Sequence, residues 1–328
     1  MRGRNKAELS LTSVIHAHRI VFALVFSALL SGVIACSSQK PNPRAGWGGL
    51  ITVFDDRPFY FGCADRPSPL PPGTHAWVTS SKQAPYARTR LDTLDLPLYE
   101  VPALTIAANL NNGVQIAGAN QDHWTVQYCA MGEGSTIDEA NGRLQKVSMN
   151  RTGSLLTLDS TDDGGRGNLL LTAPAGAPLT VHSDAPVEIH DMAGPVRIST
   201  LGRAVVLNTT GRVDVMAMAV DFAGSQGSVF LNSSREIDVK LTAQQFHGTL
   251  GANAQGEVHV YFPPGFQSAV NALVDRPKDF VCHADFCSKI KKGREDLLYQ
   301  FTYGDAKARS DGIGLRSMDA RVVLETVQ

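Results

Sequence analysis

The chain has 328 residues, of which 30 are lysine or arginine and 31 aspartate or glutamate. The charges nearly cancel, so no global field gathers nucleic acid or other polyanions. Only one apolar run, near the start, approaches the ~18–20 residues of a spanning helix, and the remainder suits one large all-β domain or two smaller ones.

Arg2, Arg4, Lys6 and Arg19 face a single early acid, Glu8, and an uncharged apolar run follows from Ile20 to Ala35. A charged region, a short apolar run and small residues at Gly32 and Ala35 predict a secretory signal cleaved before Cys36. Val33-Ile34-Ala35-Cys36 resembles the lipobox of bacterial lipoproteins, with valine where leucine is usual. That resemblance implies acylation of the Cys36 thiol, which several acyl chains would hold stably on a membrane. Ser37 and Ser38 follow without an aspartate, which by the same resemblance favours an outer membrane. An uncleaved signal anchor and cleavage without lipid are the alternatives, and both still export the chain.

The organisation expected is a signal over 1–35, a lipidated cysteine and Pro-rich tether over 36–60, a β segment with one helix over 61–150, and a β-strand repeat over 151–328. Cys63, Cys129, Cys282 and Cys287 form an even set in a chain bound for an oxidising compartment, which predicts two disulfides. Cys282 and Cys287 are close enough to shut a small loop, leaving Cys63 for Cys129; four cysteines allow three connectivities. Residues 66–73 (RPSPLPPG) read as a surface loop. Strands are expected at 103–107, 113–116 and 124–128. Between strands, residues 136–147 (TIDEANGRLQKV) combine capping-box spacing at Thr136 and Glu139 with Ile137, Ala140, Leu144 and Val147 on one helical face. Strands resume at 154–158 and 168–171.

From Leu179 apolar pairs spaced i, i+2 recur at Leu179/Val181, Val187/Ile189, Val196/Ile198, Val205/Leu207, Val213/Val215, Val220/Phe222, Val229/Leu231 and Ile237/Val239. Each pair marks a short strand with one buried side and puts Glu188, Arg197, Asp214 or Asp238 on the other. Such a unit must stack on its neighbours. Corners such as HDMAGP and NTTGR replace two-residue hairpin turns, which favours a parallel β-solenoid with two strands per coil of about 17 residues over an antiparallel β-sandwich. This register sets Arg197 beside Asp214 and turns Val206 and Phe230 outward, against the amino-terminal segment or a partner.

DHWTVQYCAMGEGSTIDEANGRL, GPVRISTLGRAVVLNTTGRVDV, EVHVYFPPGF and GIGLRSMDARVVLETV resemble the bacterial putative-adhesin family of β-strand-repeat proteins, over the chain from about Thr93 to the end. NTTG and NSSR stand where that family usually carries Ser-Gly-Asp-like corners. The resemblance implies an all-β fold and adhesion or support at the cell envelope, and it supplies no catalytic or binding residue.

No catalytic set, metal site or cofactor is assigned. Cys282, His283, Asp285 and Cys287 lack the second cysteine pair of a zinc site. Asp159, Asp162 and Asp163 lack the terminal glutamate of a calcium loop. His182, His190 and His259 read as surface histidines, with His182 and His190 on adjacent strands. KIKKGR over 289–294 reads as a loop. The partners expected are a membrane through the lipid, and an envelope protein or glycan, with no nucleic acid. A carbohydrate-active enzyme is the competing reading, although Glu188, Asp214, Asp221 and Asp238 are expected to be scattered. An envelope-stress accessory protein acting through a partner is another.

Overall fold

The computed structural model describes residues 86–160, 164–304 and 312–327. The signal, Cys36, the tether, Cys63, Asp162 and Asp163 lie outside the described residues. Among the described residues the chain is all-β with one α-helix, arranged as two large mixed sheets of 11 and 12 strands. No helix among them is long and apolar enough to cross a membrane.

Strands β1 (Tyr86–Pro97), β2 (Leu104–Ala108), β3 (Asn112–Ala119) and β4 (His123–Gly134) come first, and β1 lies antiparallel along the whole of β4. Helix α1 (Ile137–Leu144) follows. Its Thr136 hydroxyl accepts from the Glu139 amide at 3.2 Å, and the Glu139 carboxylate accepts from the Ser135 amide at 2.6 Å. These bonds satisfy two donors at the chain's entry to the helix. The helix seats on the glycines of β4, since a side chain at Gly132 would collide with the backbone of Ala140 and Leu144. Ala140 and Val147 are buried, while Ile137, expected on the same face, is exposed.

Strands β5 (Ser148–Thr152), β6 (Leu155–Asp159) and β7 (Gly165–Pro174) complete this region. β6 pairs with β2, and β7 with both β3 and β4. Strands on both sides of residue 150 thus contribute to both sheets. Beneath this junction the buried Tyr128 hydroxyl donates to Asn112 Oδ1 at 2.6 Å, and Asn112 donates to the Leu158 carbonyl at 3.2 Å. Burial pushes the Tyr128 hydroxyl well above its ordinary pKa, so it stays a donor.

The repeat then alternates between the sheets. β8 (Leu179–Ser183), β10 (Val196–Thr200), β12 (Arg212–Ala217), β14 (Gln226–Ser233) and β16 (His247–Ala254) belong to the 12-stranded sheet. β9 (Val187–His190), β11 (Arg203–Leu207), β13 (Ala219–Gly224), β15 (Ile237–Leu241) and β17 (Val258–Phe262) belong to the 11-stranded sheet. Every pairing among these strands is parallel, each strand lying beside the one two before it. Inward residues of both sheets form one continuous apolar cluster. Arg197 lies in register with Asp214, 3.9 Å away, although Asp214 is held more closely by Arg212 at 3.0 Å.

The pattern slips at one strand. In β11 Ala204 and Val206 are buried and Val205 and Leu207 half-buried, so Val206 points into the core rather than outward. Four consecutive apolar residues make the alternation ambiguous there. The neighbours settle it, because Ala204 and Val206 stack on the buried pairs Val187/Ile189 and Val220/Phe222.

Beyond β17, β18 (Ala269–Val274), β19 (Phe280–His283), β20 (Lys291–Glu295), β21 (Leu298–Tyr303), β22 (Gly312–Ser317) and β23 (Val322–Thr326) finish the sheets. The last four residues of KIKKGR, Lys291 to Arg294, lie in a strand at a sheet edge rather than in a loop: β20 pairs antiparallel with β21, and all five of its residues are exposed. Lysines on an edge strand oppose pairing with another chain. Strand order departs from chain order at both ends. β22 inserts between β16 and β18, and β23 between β17 and β19. Likewise β2 and β3 lie between the repeat and the later strands β6 and β7.

Candidate functional site

In-register parallel strands set corresponding side chains ~4.8 Å apart. On the outer side of the 11-stranded sheet this produces one row: Glu188, Val205, Asp221, Asp238, His259 and Val323. Three of the four acids expected to be scattered are thus brought into line, and Asp221 and Asp238 are direct neighbours. Asp214 stays apart on the other sheet. The 17-residue step from Asp221 to Asp238 equals that from Val196 to Val213, so the signal was present in the spacing.

Adjacent like charges on a sheet repel. Arg203 offsets them: its guanidinium, 9% exposed, donates to Asp221 at 2.6 Å and to Glu236 at 2.9 Å. Burial, then the neighbouring Asp221, raises the Asp238 carboxyl above the ordinary range against the pull of His259 and Arg203. Burial raises Glu188 as well. His259 stacks on Tyr261 with ring centroids 4.2 Å apart, and its Nε2 lies 3.2 Å from Glu325, within ion-pair range but off a hydrogen-bonding line. The row can carry paired acid and base chemistry in principle, yet it runs along an open sheet face. Clefts of ≈ 380, ≈ 210 and ≈ 660 Å³ lie elsewhere, and none is lined by Glu188, Asp221 or Asp238.

His182 and His190 stand on the consecutive strands β8 and β9, which belong to different sheets; His182 lines the ≈ 380 Å³ cleft with Asp159 and Asp184. No group of three or more metal-ligating side chains occurs among the described residues. Cys282 and Cys287 are disulfide-bonded. They border the ≈ 660 Å³ cleft, where Phe280 stacks on Phe301 at 4.0 Å. Cys129 is also disulfide-bonded.

No family model and no curated protein matches the chain. Among solved structures it is similar to a putative cell adhesion protein from Clostridium sporogenes, with 12% identity and a TM-score of 0.27, over 73% of this chain and 99% of that one. A putative adhesin from Bacteroides fragilis has 11% identity and a TM-score of 0.35 over 73% and 97%. Another from Parabacteroides merdae has 8% identity and a TM-score of 0.30 over the same shares. The second and third of these solved structures are named putative adhesins, and the first a putative cell adhesion protein.

Proposed function

We propose that the chain is a non-catalytic cell-envelope protein, lipid-anchored through Cys36, whose repeat winds as a parallel β-solenoid and presents a rigid surface for binding or support. The observation that carries this reading is the ladder itself. Five successive strands in each sheet pair in parallel and in register, so outward side chains form straight rows on a stiff backbone. Arg203 engages Asp221 and Glu236, and Arg212 engages Asp214.

Metabolic labelling with a fatty-acid analogue tests the anchor. The wild-type chain takes up label and sediments with membranes; Cys36→Ser takes up none and moves to the soluble exported fraction. Label retained by Cys36→Ser, or absent from wild type, refutes it.

A second reading, a carbohydrate-active enzyme, is favoured only by the Asp221–Asp238 pair and the raised Asp238 carboxyl. Asp238→Asn separates the two. As a presenting surface, the variant loses no turnover and melts roughly 1–3 °C higher at pH 7. A carboxyl with a raised folded pKa adds stability below its unfolded pKa and loses it as pH rises, so the advantage of asparagine fades toward pH ~4. Oligosaccharide turnover in wild type that this substitution abolishes establishes the enzyme instead.

A further inference from the structure

The outer side of the 12-stranded sheet carries a feature that the acidic row lacks, a recess with unused hydrogen-bonding groups. Register places Phe230, Gly251, Gly314 and Asn271 side by side on β14, β16, β22 and β18. Two residues further along the same strands lie Asn232, Asn253, Arg316 and Leu273, on the same face. At ~4.8 Å per strand the first row spans about 14 Å, and its two central positions have no side chain. The result is a trough of ≈ 210 Å³ lined by all eight residues. That is smaller than the ~300–1,000 Å³ of drug-sized pockets and suits about one sugar ring.

Neither central glycine is required by the backbone. Neither has a positive φ, and a Cβ at Gly251 or Gly314 would meet nothing closer than 3.5 Å or 3.9 Å. Glycine inside a strand costs stability and marks places where another molecule approaches the backbone closely. Around this floor the chemistry is of three kinds. Phe230, 42% exposed, offers an aromatic face on a side of the sheet where a polar residue is expected. Its electron-rich ring suits the polarised C–H face of a pyranose. Asn253 Oδ1 and Asn271 Oδ1 have no hydrogen-bond partner, and an orphaned amide oxygen is costly. Terminal amide torsions are broad, so a small rotation turns either group to a ligand hydroxyl. Arg316 is exposed and makes no ion pair with any described residue, which leaves its fork open to a carboxylate.

We propose that this trough is a binding subsite for an acidic saccharide: the sugar ring lies on Gly251 and Gly314 against Phe230, its hydroxyls meet Asn253 and Asn271, and its carboxylate pairs with Arg316. The proposal deepens the presenting-surface reading and rests on it.

The test uses the full-length chain in detergent micelles, with a tetragalacturonate as probe and uncharged cellotetraose as control. Wild type binds the acidic probe at least about tenfold more tightly than the control, and binding weakens with added salt. Arg316→Gln and Phe230→Ala each weaken it about tenfold. Gly314→Val fills the trough with a residue that strands favour, so it abolishes binding while the melting temperature holds or rises. Failure of wild type to bind the acidic probe, or equal binding of both sugars, overturns the proposal. Binding unchanged in Gly314→Val overturns this site and leaves the presenting surface standing; turnover of the probe overturns that wider reading.

Discussion

Val206→Lys prevents folding, whereas Val205→Lys leaves the melting temperature within a few degrees of wild type. The two positions are neighbours on β11 and differ only in the side of the sheet they face. Val206 is 0% exposed and stacks between Ile189 and Phe222 in the common core. An ammonium there has no acid to pair with inside the apolar cluster and costs several kcal/mol. That consumes most of a total stability of ~5–15 kcal/mol. Val205 lies in register between Glu188 and Asp221. A lysine in its place lays its stem on the sheet and its charge between two carboxylates. Circular dichroism and thermal melts of the two variants check this; the reverse result, Val205→Lys unfolded and Val206→Lys tolerated, would mean that the strand is shifted by one residue.

Arg203→Met has the next largest effect, a loss of about 3 kcal/mol at pH 7 in urea unfolding. Methionine keeps much of the buried stem but removes the charge held 2.6 Å from Asp221 and 2.9 Å from Glu236. These acids then stand uncompensated beside Asp238, whose carboxyl burial and Asp221 already push up. Repulsion among carboxylates raises their folded pKa values above the unfolded ones. By linkage the folded state is then favoured below about pH 4 and penalised as pH rises, so the deficit is full at pH 7 and shrinks on acidification. Adding Asp221→Asn to Arg203→Met recovers part of the loss at pH 7, a coupling that a double-mutant cycle measures. A deficit independent of pH would assign the role of Arg203 to packing alone.

The repeat was legible because period-two alternation and a 17-residue step leave the same mark at Leu179, Val196 and Val213, residues that do stack in register. Helix α1 was legible from the Thr136 cap, whose bond to Glu139 forms as spacing predicts. Where the local pattern was degenerate the reading failed. Ala204 to Leu207 is apolar throughout, and only the flanking strands choose which pair is buried. KIKKGR carries no alternating apolar residues, and its last four residues pair as a strand with β21.

The linear chain by itself determined the all-β character, the stacking step and the Arg197–Asp214 register, since each depends on side-chain periodicity within a few neighbouring strands. Tertiary structure alone decided the rest. The insertion of β22 and β23 ahead of β18 and β19, and the alignment of Phe230, Gly251, Gly314 and Asn271, join residues far apart along the chain. Such contacts leave no periodic trace, because pairing between distant strands is chosen by the total burial and hydrogen bonding of the finished sheet.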